Sequence, residues 1–175
     1  MTVMRILLWG LTLALVAMAA WAWPGLPERI PLHFGADGLP DRWGERSVWG
    51  WFLLPALGVA MAALMDGIGR WSVRHPEKQT INLPQSGDLM ALPLEYRIPV
   101  LKRAAAVLAG VGVAMLAAFC LFQIGSYAAS HGEPSQGWTL AGLGVCMLGS
   151  IVGLAGGMVA ISSELDRQKR AARDA

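Results

Sequence analysis

Charge is what this sequence has least of. Of 175 residues only 15% are Asp, Glu, Lys or Arg while 55% are hydrophobic, which leaves too few polar groups to cover a water-soluble globule of this size. No charged residue at all falls within Ile6–Trp23, Val48–Met65, Ala104–Ala129 or Trp138–Ile161. Cysteine is equally scarce. The only two, Cys120 and Cys146, lie inside the third and fourth of these runs, so a disulfide scaffold or a CxxC redox or zinc motif is excluded. Their similar depth would allow a bridge if the faces met, but buried free thiols packing as small hydrophobes are the simpler reading. There is no HExxH spacing, nucleophile elbow, phosphate loop or dinucleotide fingerprint. The GxG-like glycines of the fourth run lie inside an apolar span and read as packing residues. No cofactor is implied.

What is present is four runs long enough to cross a bilayer. A helix rising 1.5 Å per residue needs about 20 residues for 30 Å of hydrocarbon, and at this spacing only helices satisfy their own backbone groups in lipid. The fold class read from this is an all-α integral membrane protein with four transmembrane helices and a small structured extracytoplasmic loop between helices one and two. Arg5 and the Ala17-Met18-Ala19 triplet resemble a signal peptide, but the apolar stretch continues through Trp21 and Trp23, longer than a signal core, and reads as a first span.

Positive charge sets orientation. Eleven of the 14 Lys and Arg residues fall at the N-terminus, in the 70–103 loop and in the 162–175 tail; only Arg29, Arg42 and Arg46 lie on the other side. Both termini are therefore expected in the cytoplasm of a bacterial cell, the protein in its inner membrane, and the 24–47 insert outside. The net charge of +2 reflects this sorting and not a nucleic-acid partner; the lipid bilayer is the partner it implies.

Smaller signals follow from these spans. Trp21, Trp23, Trp49, Trp51 and Trp138 lie near the expected outer boundary and suit an interfacial belt, whereas Trp43 could instead pack inside the insert. Ala106, Gly110, Ala114 and Ala118 on the third span, and Gly149, Gly153 and Gly157 on the fourth, recur every four residues. Such stripes predict a close hairpin of helices three and four, or a homodimer seam. Asp66 sits where the second run ends, four residues before Arg70, and suits an interfacial ion pair. Gln123 is the strongly polar residue well inside a span, and interhelical hydrogen bonding is its plainest use. In the 70–103 loop, Pro93 and Glu95 suit the first turn of a helix along the membrane surface that Pro99 would end. The tail is expected to prolong the fourth helix, with Asp166 and Arg170 paired at i, i+4.

The 26–47 insert, LPERIPLHFGADGLPDRWGERS, is dense in Pro and Gly. Ile30–Phe34 reads as extended, Ala36-Asp37-Gly38 as a turn, and Leu39–Trp43 as a return arm, with Pro31 and Pro40 restricting the ribbon. His33, Phe34, Asp37, Gly38, Asp41 and Trp43 are the candidate binding residues of this cap. His33 is expected to bridge the two arms and Asp41 to accept hydrogen bonds that hold the cap's shape.

The pattern Leu26-Pro27, Ile30-Pro31, His33-Phe34, Gly38, Pro40-Asp41 and Trp43-Gly44, set between two spans, resembles the family of unknown function found at the N-terminus of the SdpI toxin-immunity proteins. The segment Asn82 to Arg103 adds to the likeness through Asn82-Leu83-Pro84 and Leu92-Pro93-Leu94-Glu95. The resemblance covers most of residues 1–103, leaving 104–161 as a helical hairpin and 162–175 as a tail. It implies a non-enzymatic membrane protein whose outer cap binds a peptide or protein partner, in toxin immunity or signalling, with Asn82, Pro84, Pro93 and Glu95 as its loop residues.

Two other functions compete. A metal-dependent membrane enzyme would draw ligands from His33, Asp37, Asp41, His131 and Glu133, but a hydrolytic metal needs about three ligands and an open position in a spacing this sequence does not show. A transporter is disfavoured by four uncharged spans without an internal repeat.

Overall fold

The computed structural model describes residues 2–174 apart from 79, 80, 82 and 84. The elements run α1 (Thr2–Ala22), a 3-10 turn (Trp23–Gly25), β1 (Arg29–Phe34), β2 (Pro40–Glu45), α2 (Val48–Arg74), α3 (Ser86–Ala91), α4 (Leu94–Ser130) and α5 (Gln136–Arg173). α1, α2, α4 and α5 are each long and apolar enough to cross a membrane, which makes this a multi-pass membrane protein by length and composition. The all-α expectation is amended by one feature: the 24–47 insert contains a two-stranded antiparallel sheet.

α4 is the hub, packing on α5, α2, α1 and the first strand, while α2 and α5 are barely in contact with each other. Its glycines explain how it holds two helices on one side. A Cβ at Gly112 would stand 2.7 Å from both Leu8 Cδ1 and Met65 Sδ, so the bare backbone gives room to these side-chain ends from α1 and α2. Leu8, Leu15, Ala62 and Leu116 form the buried centre of that three-helix contact.

α4 and α5 make the expected close hairpin, but through a different stripe on α4. Gly157 faces Val107, Gly153 faces Val111, Gly149 faces Ala114 and Gly142 faces Phe122, a steady antiparallel register. The α4 side is thus Val107, Val111 and Ala114 rather than the Ala106–Gly110–Ala114–Ala118 row. The two cysteines remain free. Cys120 Sγ points to α1, 3.9 Å from the Leu11 carbonyl.

The 70–103 loop corrects the surface-helix expectation. α4 starts at Leu94, directly after Pro93, and runs unbroken through Pro99 into the span. Pro99 lies in the second turn, where its missing N–H removes one bond near the helix start. Ahead of it, α3 folds back onto the helix ends: Leu83, Leu89 and Leu92 pack with Val100, Leu101, Ile161 and Leu165. Arg97 fastens the loop by donating to the carbonyls of Met90 (2.6 Å), Leu92 (2.7 Å) and Pro76 (3.3 Å). α5 continues as helix through the tail. The Asp166–Arg170 ion pair is replaced there: Arg170 Nε donates to the Asp166 carbonyl at 3.4 Å, and Lys169 instead meets Asp88 at 2.6 Å. The helix end brings Lys169 against α3, a partner that spacing along one helix does not reveal.

Asp66 does pair with Arg70, at 2.9 Å, but it is buried in a wider network. Arg5 Nε donates to it at 2.6 Å and Trp9 Nε1 at 3.2 Å, both from α1. A single carboxylate thus ties α1 to α2.

Candidate functional site

The candidate residues gather around the hairpin at one end of the bundle. β1 and β2 pair Arg29 with Glu45, Ile30 with Gly44, Pro31 with Trp43, His33 with Arg42 and Phe34 with Pro40, with the register shifting around His33. Between the strands, Gly35 N donates to Leu39 O (2.8 Å) and Asp37 Oδ1 accepts from Leu39 N (3.0 Å), an Asx turn that the Asp-Gly signal anticipates. Gly38 adopts φ +78, the left-handed conformation that a side chain disfavours, and its missing side chain also admits Leu140 and the Gln136 carbonyl.

Hydrogen bonds from α5 and from the end of α4 tie the insert to the helices, and further contacts brace its base and the α1–α2 contact below it. Gln136 Nε2 on α5 donates to Asp37 O at 2.9 Å. Arg46 donates to Leu26 O at 2.7 Å and lies over the Trp23 ring, 5.3 Å from its centroid. Trp51 Nε1 donates to Ala19 O at 2.9 Å, and His131 joins the Tyr127 and Gly25 carbonyls at 2.9 and 3.2 Å. Ala19, Ala22, Leu26, Ile30 and Trp51 form the buried patch beneath. Trp51 is therefore a core residue and not part of an interfacial belt, while Trp43 is exposed and does not fill the insert.

The six cap residues separate into four placements. His33 Nδ1 and Asp41 Oδ1 meet at 2.6 Å across the two arms, both more than half exposed. Asp37 and Gly38 are committed to the turn and to α5. Phe34, with His33, borders a cavity under the hairpin, and Trp43 faces outward from β2. Among the described residues no cluster of three or more His, Cys, Asp or Glu side chains is placed to hold a metal, so the His33, Asp37, Asp41 set does not assemble as a ligand group. His131 is engaged with backbone carbonyls at the base of the cap. Of the loop candidates, Asn82 and Pro84 lie outside the described residues, Pro93 stands just before α4, and Glu95 is exposed in its first turn.

The exposure of the His33–Asp41 pair sets its energetic scale. A surface ion pair contributes at most about 1 kcal/mol. His33→Ala is expected to leave the melting temperature of the purified protein nearly unchanged and to remove no metal ion; a fall of many degrees, or loss of a stoichiometric zinc measured by elemental analysis, would show that His33 holds something more than Asp41.

Gln123 does not make the helix–helix hydrogen bond expected of its amide nitrogen. It is only 2% exposed, yet its amide nitrogen has no hydrogen-bond partner. It lines the cavity under the hairpin, about 610 Å³ in volume, between β1, α2, α4 and α5. A lone amide deep in an apolar run is the one signal that pointed there.

A family model described as a domain of unknown function (DUF1648) matches residues 10–59, from within α1 through the hairpin and into α2. An uncharacterized protein of Archaeoglobus fulgidus is 39% identical over 82 residues, 42% of this chain and 44% of that protein. The chain thus spans less than half the length of this curated relative. No solved structure matches. Both similarities fit a membrane family of unknown function.

Proposed function

We propose that this chain is a non-enzymatic binding module of the bacterial inner membrane, with both termini and the 70–103 loop in the cytoplasm, and that its outer hairpin recognises a peptide or protein partner. The observation that carries the reading is the pinned hairpin. Gln136 of α5 donates to the turn of the ribbon, while Arg46 donating to the Leu26 carbonyl and His131, at the end of α4, meeting the Gly25 carbonyl brace its base, so little ordering cost remains on binding. In the hairpin Leu39, Arg42 and Trp43 are each exposed, and an aromatic and an arginine are of the kind that anchor interfaces. A role in toxin immunity or signalling is what the SdpI-like pattern of the insert suggests for it.

Topology and recognition are tested together. In a cysteine-free background, Cys placed at Ala36 should react with a membrane-impermeant thiol reagent on intact cells, and Cys placed at Lys78 only after permeabilisation. Photocrosslinking residues at Leu39 and Trp43 should then yield peptide or protein adducts that one at Trp21 does not. The reverse labelling pattern overturns the orientation. Adducts with lipid alone at both hairpin positions overturn partner recognition.

A further inference from the structure

We infer that Arg5 and Arg70, held in place by Asp66, bind the phosphate of an anionic phospholipid at the end of the bundle opposite the hairpin. This site lies apart from the hairpin and stands without partner recognition there.

Charge is the first ground. One buried carboxylate meets two guanidinium groups, Arg5 from α1 and Arg70 from α2, and two positive groups against one negative leave a positive charge over. Among the described residues no second carboxylate pairs with either arginine, or with the exposed Arg74, which follows Arg70 by one turn on the same face of α2. The excess calls for an anion from outside the chain.

Donor geometry is the second. Arg5 uses Nε and Nη2 on Asp66, and Arg70 uses Nη2. Each guanidinium carries five N–H groups, so Arg5 Nη1 and Arg70 Nε and Nη1 remain without a hydrogen-bond partner among the described residues. The Arg5 and Arg70 side chains are 34% and 45% exposed, whereas Asp66 between them is 2% exposed. An incoming anion therefore meets the arginines and not the carboxylate that would repel it. Because both guanidiniums are set by the same carboxylate, they stand side by side, and their planar forks suit the oxygens of a phosphodiester.

Depth selects a lipid. Arg5 stands directly before the apolar run of α1 and Arg70 five residues past that of α2, about 8 Å along the axis, at the boundary where headgroup phosphates lie. The exposed Trp9 and Trp71 bracket that level, as interfacial aromatics do. The recess that Arg5 and Arg70 border with Gly69, Ala105 and Ala109 is only about 10 Å³, room for a single water. A soluble phosphate would find no pocket to enclose it, whereas a lipid is kept at the rim by its own chains against the apolar helices. A headgroup with net negative charge, such as phosphatidylglycerol, matches the excess; the ammonium of phosphatidylethanolamine would cancel the match.

The test uses the full chain purified in a nonionic detergent, with bound lipids counted by native mass spectrometry during titration with either phospholipid. A first phosphatidylglycerol should bind several-fold more tightly than phosphatidylethanolamine and should stay bound in millimolar inorganic phosphate. Arg70→Gln should weaken that first binding about fivefold, the effect of one basic residue at an anionic headgroup. Arg173→Gln, which removes the same charge from the end of the tail, should leave it unchanged. Lipid competition in the unaltered protein requires no variant to fold. Equal affinity for the two lipids, equal weakening by the two variants, or displacement of the lipid by inorganic phosphate would each overturn the inference. Hairpin adducts at Trp43 are scored separately, so either reading can fail alone.

Discussion

Asp66→Ala should be the most damaging single charge removal in this chain. The carboxylate is buried and accepts from Arg5 and Trp9 on α1 while pairing with Arg70 on its own helix. Taking it away leaves the Arg5 guanidinium and the Trp9 indole N–H without their shared acceptor where α1 meets α2, a loss of about 2 kcal/mol. Thermal unfolding in detergent, followed by circular dichroism, should show this as a drop of many degrees. Asp66→Asn, which keeps one acceptor oxygen, should fall between. Arg70→Gln should cost only a few tenths of a kcal/mol, because Arg70 is half exposed and its pair is a surface i, i+4 contact. A double-mutant cycle on Arg5 and Asp66 isolates the interhelical part. If Asp66→Ala melts with the unaltered protein, the network does not hold α1 in place.

The other large effect is expected at Gly157. A Cβ there would lie 2.3 Å from Val107 Cγ1, closer than any real side chain comes, so Gly157→Leu must push α5 away from α4 or force Val107 aside. Overpacking of this kind costs about 1–3 kcal/mol. Gly153 differs, because its added Cβ would meet Val111 at 3.5 Å, an ordinary contact. Gly153→Ala should therefore be nearly neutral, and Gly157→Leu combined with Val107→Ala should recover part of the loss. The same thermal unfolding measurement reads all three. Equal tolerance at both glycines would mean that α5 does not seat on α4 in this register.

Spans, stripes and turns were readable along the chain because each depends on local chemistry. An uncharged run of sufficient length becomes a membrane helix whatever its neighbours are. Ala36-Asp37-Gly38 becomes a turn because Asp37 can accept from Leu39 N and Gly38 tolerates a positive φ. The Asp66–Arg70 pair is likewise a matter of helical spacing.

Partners distant in sequence were not readable. That Asp66 is also held by Arg5 and Trp9, that Trp51 donates to Ala19, and that the α5 glycines face Val107 and Val111 depend on how the helices rotate about their axes. That rotation is decided by close packing in three dimensions, where apolar residues on all sides of a membrane helix give no amphipathic signal to orient it. The same holds for the cavity. Gln123 stands out in the sequence as an amide in an apolar run, but only the tertiary structure sets the residue beside the cavity under the hairpin with its buried amide nitrogen unpartnered. Sequence alone thus determined the membrane helices and the local form of the hairpin, because backbone satisfaction and turn chemistry are local. Tertiary structure decided which faces meet and where they fail to meet, because packing compares every surface of the chain with every other.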